Sequence, residues 1–299
     1  MTIAAPSSFP LRVGRRTLWR VELPLARRRL TLEEALAGEL PALPSLPDGA
    51  AGYHLTGLPA HLEAPLRAAF RGFRLFVRQR YHRRYAALDG DFDAYLATFS
   101  GKSRATLRRK AGKLGAFELL TFRTPDEIVA FHSEARAISA RSYQERLLEA
   151  GLPDGEGAVA AMRALAARHA ARGWLLRVDG RAISYLYAPA EGESLVYAHL
   201  GYDPEFAARS PGTVLQYEVM RQLMGERRFR WFDFTEGDGE HKRFWSTGSV
   251  ESVDLLLLRP TAANFAAGHA LGAFDRAIAF AKVASRALGL ERVVRARLR

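Results

Sequence analysis

The chain has 299 residues, enough to bury a sizeable core and to hold two lobes. Its 48% hydrophobic and 25% charged composition suits a globular protein, and the absence of cysteine excludes disulfides, thiolate metal sites and cysteine nucleophiles. The formal charge of +12 is uneven: residues 1–115 carry 20 Lys and Arg against 9 Asp and Glu, and the remainder 24 against 23. A basic lobe of this kind suits acidic partners such as nucleic acid, anionic lipid or phosphorylated substrates, with solvated Arg faces as the plain alternative. No apolar run approaches the about 20 residues of a membrane span. No cationic segment followed by an apolar core opens the chain, so the expected location is cytoplasmic.

Residues 1–50 give little periodicity. Thr31 can cap a helix over Leu32–Leu40, and Pro41, Pro44 and Pro47 mark an extended connection. Leu66, Ala69 and Phe70 predict a helix starting near Pro59. Alternation at Phe73, Leu75 and Val77 predicts a strand, with a second over Tyr81–Leu88. Asp91 precedes a helix over Phe92–Phe99. The next segment, Ser103–Leu114, is a basic amphipathic helix. Leu107, Ala111 and Leu114 form its apolar stripe, and Arg104 and Arg108 line another side beside Arg109, Lys110 and Lys113. It reads either as a phosphate-contacting surface or as a solvated face packed through its leucines.

From Phe117 the pattern becomes regular. A strand over Phe117–Phe122 is followed by helices over about 125–150 and 157–172 and a strand over Trp174–Val178. Asp179-Gly180 predicts a hairpin to a strand over Ala182–Ala188, and Glu191-Gly192 turns into another over Leu195–Leu200. The loop Gly201–Pro211 leads to a helix whose apolar face is Val214, Leu215, Val219, Met220 and Leu223. Strands over Trp231–Phe234 and Val253–Leu258 complete a β-α-α-β-β-β-α-β-β order. This is an α/β (α+β) chain with a mixed sheet flanked by helices. Residues 261–299 predict a helical tail through Phe265, Leu271, Phe274, Ile278 and Ala281. Its basic end at Arg292, Arg295, Arg297 and Arg299 suits either an anionic membrane surface or packing against the protein.

The stretch from Leu195 to Trp245 carries the chemistry. Ser210 is placed to cap the helix, Pro211 to open it, and Gly212 to admit a ligand to its free N–H groups, with Arg209 adding charge. Such a start suits a phosphate or diphosphate. Arg209-x-x-Gly212-x-Val214 resembles the acyl-CoA-binding signature of the GNAT N-acetyltransferase superfamily, with Val214 where a small residue is usual. Asp203, Ser210-Pro211-Gly212, Leu215, Asp233-Phe234, Gly237, Lys242 and Trp245 resemble the C-terminal half of CelD-type acetyltransferases associated with cellulose and exopolysaccharide synthesis. These are similar in turn to FemAB peptidyltransferases. The usual Tyr-Lys pair reads His241-Lys242 here.

The resemblance implies a GNAT-like sheet over 116–259, a smaller basic N-terminal lobe over 1–115 and a helical tail over 260–299. It implies acetyl-CoA or another acyl-CoA as co-substrate. Val196, Tyr197, Ala198, Arg209, Ser210, Gly212, Thr213 and Val214 would hold that cofactor, its pantetheine lying along Val196–Gly201. The candidate catalytic groups are His199, Glu236, Lys242 and Tyr202, with Tyr197 a second phenol near the thiolate. Asp203, Asp233, Lys242, Trp245, Arg104 and Arg108 are the candidate substrate contacts. The acceptor is a small-molecule or glycan amine, including acidic and phosphorylated ones. Two alternatives remain: FemAB-like use of aminoacyl-tRNA, and a non-catalytic nucleic-acid or anionic-surface binder. Nothing in the His, Asp and Glu spacing predicts a metal site, and no Walker loop or dinucleotide fingerprint is present.

Overall fold

A computed structural model describes residues 5–13, 16–142, 151–237 and 239–287. The elements run in chain order as follows. Strands β1 (Ala5–Val13) and β2 (Arg16–Arg29) are followed by helix α1 (Leu32–Ala37), strand β3 (Gly52–Pro59), helix α2 (Glu63–Ala69) and strand β4 (Arg74–Ala87). Helices α3 (Phe92–Ala97) and α4 (Gly101–Leu114) lead to β5 (Glu118–Phe122), α5 (Pro125–Arg141) and α6 (Glu156–Ala167). Strands β6 (Ala171–Val178), β7 (Arg181–Glu191), β8 (Ser194–Val196) and β9 (His199–Tyr202) precede α7 (Pro211–Glu226). The chain then forms β10 (Trp231–Asp233), α8 (Glu240–Trp245), β11 (Gly248–Leu258) and α9 (Ala262–Ala287).

Two compact units result: residues 1–83 with 236–238 and 250–299, and residues 84–235 with 239–249. This division differs from the sequence-based one at 115 and 259. Residues 84–115 group with the second unit, and most of β11 and the tail helix with the first.

In the first unit the strand order is β1-β2-β3-β11-β4. Strand β11 is apolar on both faces: Val253, Leu255 and Leu257 join one buried cluster with Leu62 and Leu66, and Leu256 and Leu258 join another with Leu271. A strand covered on both sides reads as a continuous apolar run. The lone polar residue in that run, Asp254, sits at a register shift and is 4% exposed. It accepts from Gly57 N–H at 2.8 Å, Gln79 Nε2 at 2.7 Å and Tyr81 Oη at 3.1 Å, so the buried carboxylate is fully met. Thr31 caps helix α1 as predicted, and the structure adds a reciprocal capping box with Glu34, but the helix stops at Gly38 in the left-handed conformation. The two strands expected over 73–77 and 81–88 are one continuous strand, β4.

His54 in β3 has a pKa lowered to about 4, by burial first and by Arg78 and Arg27, against the opposing pull of Asp254. The folded imidazole therefore binds fewer protons than the unfolded one between that value and 6.5. Its contribution to stability is full above pH 6.5 and is lost as pH falls towards 4. His54→Gln should remove about 1–2 kcal/mol of acid destabilisation, read as a smaller drop in urea midpoint between pH 7.5 and 4.5 than in the parent chain.

In the second unit the order is β4-β10-β8-β7-β6-β5, with β9 also pairing β7 and residues 84–87 supplying the β4 segment. Here too the two faces are covered. Trp174, Leu176 and Leu186 pack with α7 residues Val214, Leu215 and Val219, and Leu175, Tyr185 and Tyr187 pack with Ile128, Phe131 and Ile138 of α5. The result is a mixed α/β architecture with a central mixed sheet flanked by helices. Helix α5 has the predicted start, capped by Thr124 with Pro125 in its first turn, and is described to Arg141; the predicted residues 143–150 lie outside the described residues. Helix α6 ends at Ala167 rather than Arg172, and β6 begins three residues earlier than its apolar run suggests. The predicted basic end beyond residue 287 also lies outside the described residues.

Candidate active site

The strand expected over Leu195–Leu200 is broken, and the break makes the site. Strand β8 runs parallel to β10 through Val196 opposite Asp233. Tyr197 N–H then donates to Asp233 O at 2.8 Å, and there the two strands part. Phe234 N–H turns to Arg84 O at 2.9 Å, and Ala198 N–H turns the other way to Tyr187 O at 3.3 Å. Each strand follows its outer neighbour. Strand β9 continues paired with β7 through Tyr187 and His199 down to Ser184 and Tyr202.

A groove of about 280 Å³ lies in this part of the unit, lined by Tyr197, Leu200, Tyr202, Ser210, Gly212, Thr213, Gln216, His241 and Trp245, among others. Strand alternation then decides which residues face it. Leu200 and Tyr202 line the groove, so His199 and Gly201 point to the opposite face. A Cβ on Gly201 would lie 2.4 Å from the Tyr185 ring, which shows how closely that face is packed. His199 is therefore corrected from a base beside the groove to a residue on its far side.

The start of α7 differs from expectation in one respect. Ser210 stands at the cap position with φ 55° and makes no side-chain cap bond. Its carbonyl instead accepts from Thr213 N–H at 3.0 Å and Val214 N–H at 3.2 Å. Pro211 has no N–H, so among the described residues Gly212 supplies the free amide of this first turn. A Cβ on Gly212 would meet Leu200 at 3.2 Å and Tyr202 at 3.4 Å, a tight fit on the groove wall. Val214 is 1% exposed in the core. Its side chain, in place of a small residue, is turned away from the groove. Val196 is 5% exposed and Ala198 is exposed, neither lining the groove.

Several charged candidates have structural jobs. Arg209 is exposed and its guanidinium lies over the Phe206 ring, 5.7 Å from the centroid, rather than on the groove wall. Arg104 Nη1 donates to Phe99 O at 2.8 Å and Ala97 O at 3.2 Å, clasping the end of α3. Arg108 is exposed on a different side of α4 from the residues that line a cavity. Asp203 is 1% exposed, accepts from Glu205 N–H at 3.1 Å and pairs with Arg181 at 2.6 Å and Arg141 at 3.1 Å. It caps the 3₁₀ turn Pro204–Arg209 and is withdrawn as a substrate contact. Asp233 is fully buried and accepts from Thr235 N–H at 2.8 Å, holding a residue with φ 62°. Glu236 belongs to the first unit, where Gln79 Nε2 donates to it at 3.1 Å. Lys242 Nζ donates to Thr235 Oγ1 at 3.4 Å.

Trp245 and Tyr202 do line the groove, and three residues that the sequence did not mark as site residues stand at or beside it. His241 follows Glu240 on α8 and faces Tyr197, with ring centroids 5.9 Å apart. Burial first, and then the Lys242 charge, push its imidazolium below the ordinary range, so the neutral ring is favoured. Burial raises the Tyr197 phenol well above its usual value, which keeps it a hydrogen-bond donor. Gln216, one turn into α7 from Gly212, is 3% exposed, and its Nε2 has no partner among the described residues. The third is Lys110, whose Nζ donates to Thr213 Oγ1 at 3.3 Å. His241 also lines a second cavity of about 390 Å³ together with Lys102, Lys110, Glu240, Phe244 and Trp245. Among the described residues no group of three or more His, Asp and Glu could hold a metal, and no helix is long and apolar enough to cross a membrane.

Comparison with known proteins agrees with this geometry. Residues 101–243 match the family described as acetyltransferase (GNAT) domain. No curated protein matches the chain. Among solved structures, FemX is 13% identical, with a TM-score of 0.52, covering 69% of this chain and 72% of its own. The C-terminal domain of a protein described as a lysylphosphatidylglycerol synthetase, from Agrobacterium fabrum, is 15% identical with a TM-score of 0.50, covering 73% and 71%. Those likenesses are of fold. The residues matched to that family run from α4 to α8 and span the parted strands and the open helix start.

Proposed function

We propose that this protein moves an acyl group, acetyl in the simplest case, from coenzyme A to an amine. The observation that supports this best is the shared groove: Tyr197 where β8 and β10 part, Leu200 and Tyr202 of β9, and Gly212 at the start of α7 all line one opening. A diphosphate at Gly212 would meet a helix N-terminus and an N–H donor. The pantetheine arm would follow β9 towards Tyr197 and His241. Tyr197 and Ala198 N–H groups are already engaged, so carbonyl donors must come from side chains or from β9.

In the reaction the amine nitrogen attacks the thioester carbonyl carbon, the C–S bond breaks and CoA leaves as a thiolate. One amine proton must go to a base. His241 is a neutral imidazole on the wall of both openings and is better placed than His199. The Tyr197 phenol, on the same groove wall, is the donor to the departing sulfur in this reading. Proximity alone supplies part of the rate.

Acetyl-CoA at a hundred times its dissociation constant should stabilise the protein by about 2.7 kcal/mol, read as a rise in melting temperature. No shift at millimolar acetyl-CoA would count against the reading. Gln216→Leu should weaken acetyl-CoA and free CoA alike by about three- to tenfold, the worth of one hydrogen bond. That equal loss places the Gln216 amide on the pantetheine arm. The FemAB-like alternative, transfer from aminoacyl-tRNA, draws on the fold likeness to FemX. It predicts binding of charged tRNA that weakens steeply with salt, and no response to acetyl-CoA.

A further inference from the structure

Only five of the 44 basic residues are lysines: Lys102, Lys110, Lys113, Lys242 and Lys282. Everywhere else the chain uses arginine. Four of the five fall at or beside the two openings. Lys102 and Lys110 line the second cavity, Lys113 Nζ donates to Ala208 O at 2.9 Å, and Lys242 holds Thr235. An ammonium on a slim stem enters a confined space that a planar guanidinium fills poorly. Lysine retained here, in a chain that otherwise spends arginine, points to a space with a charge requirement.

The second cavity is polarised. On one wall Lys102 and Lys110 lie eight residues apart on α4, about two turns on one face, and neither forms an ion pair with a described residue. Among the described residues Lys110 has only the neutral Thr213 hydroxyl as a partner. The opposite wall carries Glu240 and His241, and Leu107, Phe244 and Trp245 fill the space between. Thr213, His241 and Trp245 also line the first groove, so the two openings meet at His241. We propose that the second cavity is the acceptor site, and that it takes an amine bearing an oxyanion, the amine at Glu240 and His241 and the oxyanion at Lys102 and Lys110. The assignment rests on the acyl-transfer reading for its donor.

The test uses three matched pairs of amines with acetyl-CoA as donor: glucosamine and glucosamine 6-phosphate, ethanolamine and phosphoethanolamine, propylamine and β-alanine. CoA release gives kcat/KM, and melting of the CoA-saturated protein gives binding. The charged member should lead by tenfold or more in at least one pair, or stabilise the protein where its partner does not. The pairs also separate phosphate from carboxylate. Lys102→Gln, which touches only the second cavity, should cut that lead to about twofold while acetyl-CoA affinity is kept. Lys102→Arg should restore the charge but not the fit, recovering only part of the lead. Equal treatment of both members in all three pairs overturns the assignment, as does a lead that survives in Lys102→Gln. If acetyl-CoA itself does not stabilise the protein, the donor reading fails instead.

Discussion

Gly212→Asp should abolish acyl-CoA binding while leaving the fold intact. Gly212 has an ordinary backbone conformation, so its φ does not demand glycine. The constraint is space and charge. A Cβ there is already 3.2 Å from Leu200 and 3.4 Å from Tyr202, so a carboxylate must project into the groove. It would stand where a diphosphate is proposed to lie and would itself take the helix N-terminus. Repulsion between an anion and a multiply charged ligand, added to the lost Gly212 contact, is expected to cost about 3 kcal/mol or more, above a hundredfold in affinity. Titration calorimetry with acetyl-CoA and with free CoA reads the loss, and circular dichroism confirms that the domain is folded. Retained micromolar binding would place the diphosphate elsewhere.

His241→Ala should lower kcat by about a hundred- to ten-thousandfold, the range for a positioned general base, with acetyl-CoA affinity changed little. The groups around the ring are Tyr197 from the parted strand, Glu240 and Lys242 from its own helix, and Lys102 and Lys110 across the second cavity. Burial and Lys242 disfavour the imidazolium, so the base form persists below the ordinary histidine range. In the parent enzyme kcat/KM should therefore rise with pH through an apparent pKa below 6.5 and level off by neutrality. His241→Gln, which keeps a polar side chain of similar reach, should lose that limb. A fall of less than tenfold, or an unchanged profile, removes His241 from the proton path.

Much of the second unit was legible because its elements obey simple periods. The α7 stripe of Val214, Leu215, Val219, Met220 and Leu223 is buried as its spacing predicts, and α5 starts at Pro125 as its segment predicts. Residues 1–30 were illegible for the opposite reason. Strands β1 and β2 pair mainly with each other, and β2 continues beside β3, so their positions come from partners rather than from local alternation. Propensity gives no hint of such pairing.

The site divides the same way. Residue order alone determined that a helix with an open glycine start follows a sheet strand, and that the chain has no cysteine chemistry. Arg209, Gly212, Asp233 and Lys242 carried the family resemblance. Side-chain direction was settled only in three dimensions. A break at Tyr197-Ala198 sets His199 on the far face and leaves Tyr202 on the near one, because successive strand residues alternate. Burial turned Asp203 and Asp233 into struts, since a carboxylate out of water is held by the donors around it. Contact between segments distant in sequence brought His241, Gln216 and Lys110 to the openings, which no local spacing encodes.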